Sequence, residues 1–169
     1  MADTPVQIRN ARPDDLDAID DLHTRSRNVY HRGYVAEEIL ADPARAERRR
    51  ADLEFCLAAD DRTVLCAWRD ERLAGFAVWG PCVVPDPDPQ ITTELAGFYV
   101  DPASFRQRVG STLHGTCVQA WQTLPTPKVR LWVSDYNKQA RAFYASQGWE
   151  QDGHHRPDDP AMLGYRLTV

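Results

Sequence analysis

The chain has 169 residues, 43% of them hydrophobic and 27% charged, with a formal net charge of -5. That length supports one domain with a sizeable core, and the acidic balance excludes a general nucleic-acid or anionic-membrane surface while leaving room for one local basic pocket. Cys56, Cys66, Cys82 and Cys117 lie far apart with no C-x-x-C pair, which suits reduced, packed thiols rather than a zinc site or a disulfide framework.

"MADTPVQIRNARPDD" lacks the apolar run of a signal peptide, and no apolar span reaches membrane length. One domain over residues 1–169 in the cytoplasm is therefore expected, with no membrane or nucleic-acid partner. "VQIRNA" alternates and predicts a first strand. "RPDDLDAIDDLHTRS" predicts a helix, with Leu16, Ile19 and Leu22 on one stripe and aspartates in the first turn, where they complement the dipole. "RSRNVYHRGY" is read as the connection to a second helical region, "VAEEILADPARAERRRADLEFCLAA", which breaks near Pro43. "RAERRR" is most economically a solvated helix face.

From residue 62 the pattern changes to strands. "RTVLCAWRDERLAGFAVWG" reads as a hairpin turning at "RDER". "PCVVPDPDPQ" holds too many prolines for a central strand and is expected as an extended, solvated loop; the alternative is that Asp86 and Asp88 attract a cationic amine. "ITTELAGFYVD" is the next strand, followed by a helix from about Val109 to Leu124. "KVRLWVS" is a strand, "NKQARAFYASQG" a helix with Gly148 as its C′ residue, and "WEQDGHH" and "AMLGYRLTV" are closing strands. The order β-α-α-β-β-β-α-β-α-β-β defines an α/β (α+β) fold with a mixed sheet flanked by helices. His154 and His155 are adjacent on a strand and point apart, which argues against a joint metal site.

Two stretches carry chemistry. In "FYVDPASFRQRVGSTL" a strand leads through a turn into a helix, and amides of the first helical turn have no intrahelical partner. With the helix dipole they form an anion site, most naturally for phosphate. Gly110 lets a ligand approach the backbone, Ser111 and Thr112 offer hydroxyls, and Arg106 and Arg108 offer charge. In "LWVSDYNKQARAFYASQGW", Asn137 and Tyr144 lie seven residues apart, about two helical turns, with the small Ala140 between them. The structural alternative makes Asn137 a helix cap and Phe143 and Tyr144 core aromatics, a role that suits Phe143 better than Tyr144.

Together these stretches resemble the cofactor region of the GNAT superfamily of acyl-CoA-dependent N-acyltransferases. Asn137, Ala140, Phe143, Tyr144, Gly148 and Trp149 match the family's N-x-x-A-x-x-F-Y-x-x-x-G-F/W pattern. "IRNARPDDLDAIDDLH" and "ERLAGFAVWGP" extend the likeness to nearly the whole chain. The phosphate turn departs from the family's Q/R-x-x-G-x-G/A, with Phe105 at the Q/R position and Arg108 at the first glycine. A side chain at Arg108 is acceptable there if its φ is negative and its amide points inward; otherwise it narrows the site.

The resemblance implies a GNAT-type, mostly antiparallel sheet of about six to seven strands with about four helices. It also implies an acetyltransferase that moves the acetyl group of acetyl-CoA to a primary amine by direct attack, without a metal. Backbone groups of Phe98, Tyr99 and Val100 would pair with the pantetheine amides in a splay between two strands. Amides from Arg106, Gln107, Arg108, Val109, Gly110, Ser111 and Thr112 would take the pyrophosphate. Asn137 would bond the pantetheine arm, with Ala140 and Phe143 beside it. Tyr144 is the candidate general acid and Glu94 the candidate base, the alternative for Glu94 being a solvated strand end. Tyr30, His31 and Tyr34 are candidates to line the acceptor pocket, with His31 otherwise a surface or satisfied histidine.

The expected acceptor is a small-molecule amine, less so a protein or peptide amine. A homodimer is allowed by the sequence without being required. The alternative function is a non-catalytic acyl-CoA-binding sensor. A nucleotide-binding regulator is set aside, since neither the G-x-x-x-x-G-K-[ST] loop nor the G-x-G-x-x-G fingerprint is present.

Overall fold

The computed structural model describes residues 4–169. Its seven strands form one sheet: β1 (Gln7–Asn10), β2 (Thr63–Arg69), β3 (Arg72–Pro81), β4 (Ile91–Val100), β5 (Lys128–Ser134), β6 (Glu150–Arg156) and β7 (Asp159–Thr168), in the order β1-β2-β3-β4-β5-β7-β6. Five α-helices accompany them among the described residues: α1 (Leu16–His31), α2 (Glu37–Leu40), α3 (Pro43–Ala58), α4 (Val109–Trp121) and α5 (Lys138–Ser146). The chain divides into two compact units, one running to Val78 and including Gly97–Thr116, the other Trp79–Ala96 with Cys117–Val169.

In the first unit β1 pairs antiparallel with β2, from Gln7↔Trp68 to Asn10↔Leu65. A 3-10 turn at Pro13–Asp15 leads into α1, and Arg9 grips the Asp15 carboxylate with two bonds of 2.7 and 2.9 Å. The stripe read from the sequence faces inward: Ile19 and Leu22 are fully buried and pack with Leu53, Val64, Cys66, Leu73, Phe76 and Val78. The expected break falls at Pro43, which opens α3 as its first residue, where a missing N–H costs nothing. Asp42 caps it by accepting from the Ala44 amide at 2.9 Å. The β2–β3 turn places Asp70 and Glu71 at φ 49° and 60°, the two left-handed positions of a tight hairpin turn that follows the strand twist. Residues Leu73 to Val78 are all buried, the signature of a strand covered on both faces.

In the second unit β5 pairs in parallel with β4, in a register that runs to Leu95↔Leu131. On its other side it pairs antiparallel with β7 from Lys128↔Thr168 to Ser134↔Met162, and β6 closes the edge against β7. Helix α5 ends as expected at Gly148, with φ 92°. There the Trp149 amide bonds the Tyr144 carbonyl at 3.0 Å and the Gly148 amide that of Ala145 at 3.1 Å. This pair of bonds is a Schellman motif, and the accompanying apolar contact is Tyr144 against Trp149, with ring centroids 6.0 Å apart. The Tyr-x-x-x-Gly-Trp spacing therefore has a folding role of its own.

The structure corrects the connection after α1. The helix continues through Tyr30 and His31, because the inward spacing continues past Ser26. "RSRNVYHRGY" is thus mostly the last turns of α1.

Candidate active site

The β4–α4 turn in the first unit is built around two arginines in the left-handed region, Arg106 at φ 61° and Arg108 at φ 62°. Arg108 does not meet the condition of a negative φ: it adopts the conformation for which glycine is the natural choice, at a cost of about 1–2 kcal/mol for a residue with a Cβ. Four contacts hold the turn. The Thr112 amide bonds the Arg108 carbonyl at 3.0 Å, and the Ser111 hydroxyl donates to the same oxygen at 3.1 Å. Gln107 bonds the Ala103 carbonyl at 3.0 Å and receives Arg69 at 2.6 Å. Ser111 thus spends its proton on the backbone. Among the described residues, the amides of Arg108, Val109, Gly110 and Ser111 donate to no protein group. A run of unpaired N–H groups at a helix start, with two exposed guanidinium-bearing residues in the turn, is built for an anion.

Gly75 lies beneath this turn. A Cβ there would meet the Tyr99 carbonyl at 3.0 Å and a Val109 methyl at 3.3 Å, so the glycine lets β3 approach the end of β4. On β4, Phe98 meets His114 edge-on at 6.2 Å, while Tyr99 stacks on Phe76 at 5.2 Å and meets His23 at a tilt at 4.4 Å. The Val100 carbonyl accepts from the buried Ser26 hydroxyl at 3.2 Å.

In the second unit Asn137 caps α5, its Oδ1 accepting from the Ala140 amide at 3.2 Å. Tyr144 is buried and Phe143 half-buried, the reverse of the expected division. On the last turns of α5, Tyr144 is the side chain directed at Trp149 and Phe143 the one at the margin. Glu94 is the fourth residue of β4 and is 6% exposed. It is therefore not a solvated strand end. Its Oε2 accepts from the Val83 amide at 3.2 Å, so it also holds the start of the β3–β4 loop.

That loop is not free to attract an amine. The Asp86 carboxylate is sealed against Arg130, each side chain 1% exposed, and Asp88 bonds Lys128 at 2.9 Å. Arg130 also holds Asp152 at 2.5 Å and lies over the Trp132 ring at 4.6 Å. Gly164 admits the network, since a Cβ there would come within 2.5 Å of Arg130 and 2.7 Å of Asp152.

The acceptor-side candidates separate. Tyr34 is 59% exposed. His31 is buried, with its ring on Tyr30 at 4.1 Å, and its Nε2 accepts from Arg27 at 3.3 Å. Burial, with the charges of Arg27 and Arg49 in support, lowers its pKa to about 4. The same causes lower His23 to about 3, and burial alone lowers His114 to about 4. Sequence reading missed Arg27 and Arg49. Continuing the α1 stripe by fours from Ile19 through His23 would have reached Arg27.

The strand order and the helices that follow β4 and β5 are those of a GNAT-type acetyltransferase fold. The family model for the acetyltransferase (GNAT) family matches residues 16–149, so the chain belongs to the GNAT acetyltransferase family and is an acyltransferase. Its fold is similar to that of PaiA N-acetyltransferase from Thermoplasma acidophilum in complex with coenzyme A. That match has a TM-score of 0.83 at 19% identity and covers 98% of this chain and 99% of that one. The fold is also similar to ribosomal-protein-alanine N-acetyltransferase from Brucella melitensis (TM-score 0.71, 22% identity, 96% and 99% covered). A GNAT-family acetyltransferase from Staphylococcus aureus is a third such relative (0.71, 12%, 97% and 99%). No curated protein matches the chain. No helix among the described residues is long and apolar enough to cross a membrane.

Proposed function

We propose that this protein is an acetyl-CoA-dependent N-acetyltransferase acting on a primary amine of a small molecule, with the whole chain as one acetyltransferase domain. The observation that carries the reading is the run of unpaired amides from Arg108 to Ser111 at the start of α4, a donor set suited to the pyrophosphate of coenzyme A. The family match across both units supports a single domain. The four unpaired thiols support a reducing, cytoplasmic setting.

Bound acetyl-CoA supplies an activated acetyl thioester. In the proposed roles, the amides of Arg108 to Ser111 bind its pyrophosphate, with Arg106 and Arg108 adding charge; the expected Gln107 and Thr112 amides are taken by the Ser104 and Arg108 carbonyls. Backbone groups of Phe98, Tyr99 and Val100 orient the pantetheine arm, and an N–H of this segment stabilises negative charge on the carbonyl oxygen. The Asn137 side-chain NH2 donates to the same arm while its Oδ1 stays on the helix. Ala140 and Phe143 flank the arm. The amine nitrogen bonds to the acetyl carbon as the carbon–sulfur bond breaks, and the Tyr144 phenol gives its proton to the departing sulfur. A phenol, with an ordinary pKa near 10, keeps that proton at neutral pH. Glu94 takes the proton lost by the amine, directly or through water. Its hydrogen bond to the Val83 amide fixes the carboxylate for that task. Tyr30, His31 and Tyr34 stand on the acceptor side.

Acetyl-CoA should raise the melting temperature, because a ligand that binds only the native state stabilises it by mass action. No shift at millimolar cofactor removes the proposal. Tyr144→Phe should lower kcat at least about tenfold while the acetyl-CoA shift persists. Unchanged turnover would assign Tyr144 to packing on Trp149 alone.

A further inference from the structure

In the first unit, α1 and α3 each carry an arginine at an inward position. Arg27 lies eight residues beyond the fully buried Ile19 and four beyond His23, on the stripe that packs the core. Arg49 lies four residues before Leu53, which is 6% exposed. Helical spacing puts each arginine where an apolar residue would ordinarily stand.

Both side chains are half-buried, yet neither forms an ion pair with a carboxylate among the described residues. Arg27 donates to the His31 ring at 3.3 Å, which keeps that histidine an acceptor. The Arg49 Nε is sealed from water without a partner. Asp20, the acid whose charge Arg49 feels, is bonded by Arg50 at 3.4 Å. Burial and the charge of Arg27 lower the Arg49 pKa while the Asp20 charge raises it, so the two guanidinium groups are near enough to repel. Burying a charge is costly unless it is paired, and a snorkelling arginine would have kept its Nε wet. The neighbouring rings supply no counter-charge. His23 and His31 are neutral at physiological pH, with pKa values of about 3 and 4, and Tyr30 and Tyr99 complete the surroundings.

We propose that Arg27 and Arg49 form an oxyanion-binding subsite that receives a carboxylate or phosphate on the acceptor, making the preferred acceptor a primary amine that also carries an acidic group. The assignment rests on the acetyltransfer reading above for its placement on the acceptor. Planar guanidinium groups match both oxyanions by forked hydrogen bonds. The same pair repels a polyamine, whose second cation would meet two like charges.

The test compares glycine, β-alanine, γ-aminobutyrate and O-phosphoethanolamine with the amides of the amino acids and with putrescine, following coenzyme A release. At least one oxyanion-bearing amine should exceed its neutral counterpart by about tenfold or more in kcat/KM. Whether the carboxylates or the phosphate lead names the source of the oxyanion. Arg49→Gln and Arg27→Gln should abolish the preference by raising KM for the oxyanion-bearing amine toward that of its neutral counterpart, and Arg49→Lys should restore part of it. As a readout without turnover, the preferred amine should raise the melting temperature of the wild type, but not of Arg49→Gln, at fixed ionic strength. A wild type with neither preference nor shift overturns the subsite, as do variants that keep both. If acetyl-CoA gives no shift while the oxyanion shift persists, the acetyltransfer reading fails and the subsite stands. Should Arg27→Gln not fold, Arg49→Gln on α3 decides alone.

Discussion

The Arg130 guanidinium lies against the Asp86 carboxylate with both side chains almost sealed from water, although 44 residues separate them in the chain. Through this contact β5 straps down the loop between β3 and β4, and the second arm of Arg130 ties in Asp152 on β6 at 2.5 Å. A proline-rich stretch that looks solvent-swollen in the sequence is thereby held to the sheet.

Arg130→Met should destabilise the fold by about 3–5 kcal/mol, because it leaves two carboxylates buried without their cation. Lys128→Met, which frees the more exposed Asp88, should cost much less. The urea midpoint measures both, and an unchanged slope would show that the unfolding transition is the same. Equal losses would mean that the buried network contributes no more than the exposed pair.

Arg108→Gly should leave stability unchanged or raise it by up to about 1 kcal/mol. It relieves the left-handed strain at φ 62° but adds freedom to the unfolded chain. Arg108→Val should lose about 1 kcal/mol or more, since a β-branched residue tolerates positive φ worst. Thermal or urea unfolding of the pair reads the difference. If valine matched glycine, the turn would be relaxing out of the left-handed region.

Stability should fall as pH drops from about 6.5 toward 4. The folded pKa values of His23, His31 and His114 lie at about 3, 4 and 4, below the ordinary histidine value near 6.5. Within that window the unfolded chain binds more protons than the native one. In that window each histidine gives a slope of up to about 1.4 kcal/mol per pH unit; its contribution to stability is fully present above pH ~6.5 and lost on acidification. Asp15 extends the decline to lower pH, its pKa held down chiefly by the Arg9 hydrogen bond. Asp152 acts in the same direction, since its bonds to the His154 amide and Arg130 outweigh the upward push of burial. Urea unfolding across pH 4–7 checks the slope, and His114→Gln should remove one histidine's share of it.

Asn137→Ala should lose about 1 kcal/mol of stability through the lost cap, together with affinity for acetyl-CoA. Asn137→Ser keeps a capping oxygen and so should keep most of the stability, while losing the side-chain NH2 proposed for the pantetheine arm. Melting temperatures with and without acetyl-CoA separate the two effects. An undiminished cofactor shift in the serine variant would restrict Asn137 to capping.

The order of strands and helices was legible because it is written in short-range spacing. Alternation marks β1 and β5, the Leu16–Ile19–Leu22 stripe marks α1, and "RDER" and Gly148 mark positions that need left-handed backbone. The β4–α4 turn was legible for the same reason, as a strand, a turn and a helix start adjoin in the chain. The tertiary structure alone decided that Tyr144 rather than Phe143 is buried, that Asp86 is paired, that Glu94 is enclosed, and that Arg27 and Arg49 stand half-buried on α1 and α3 without an ion pair. Each of these depends on which distant residue arrives opposite, and burial and charge pairing are properties of that meeting. No spacing within a local segment encodes them.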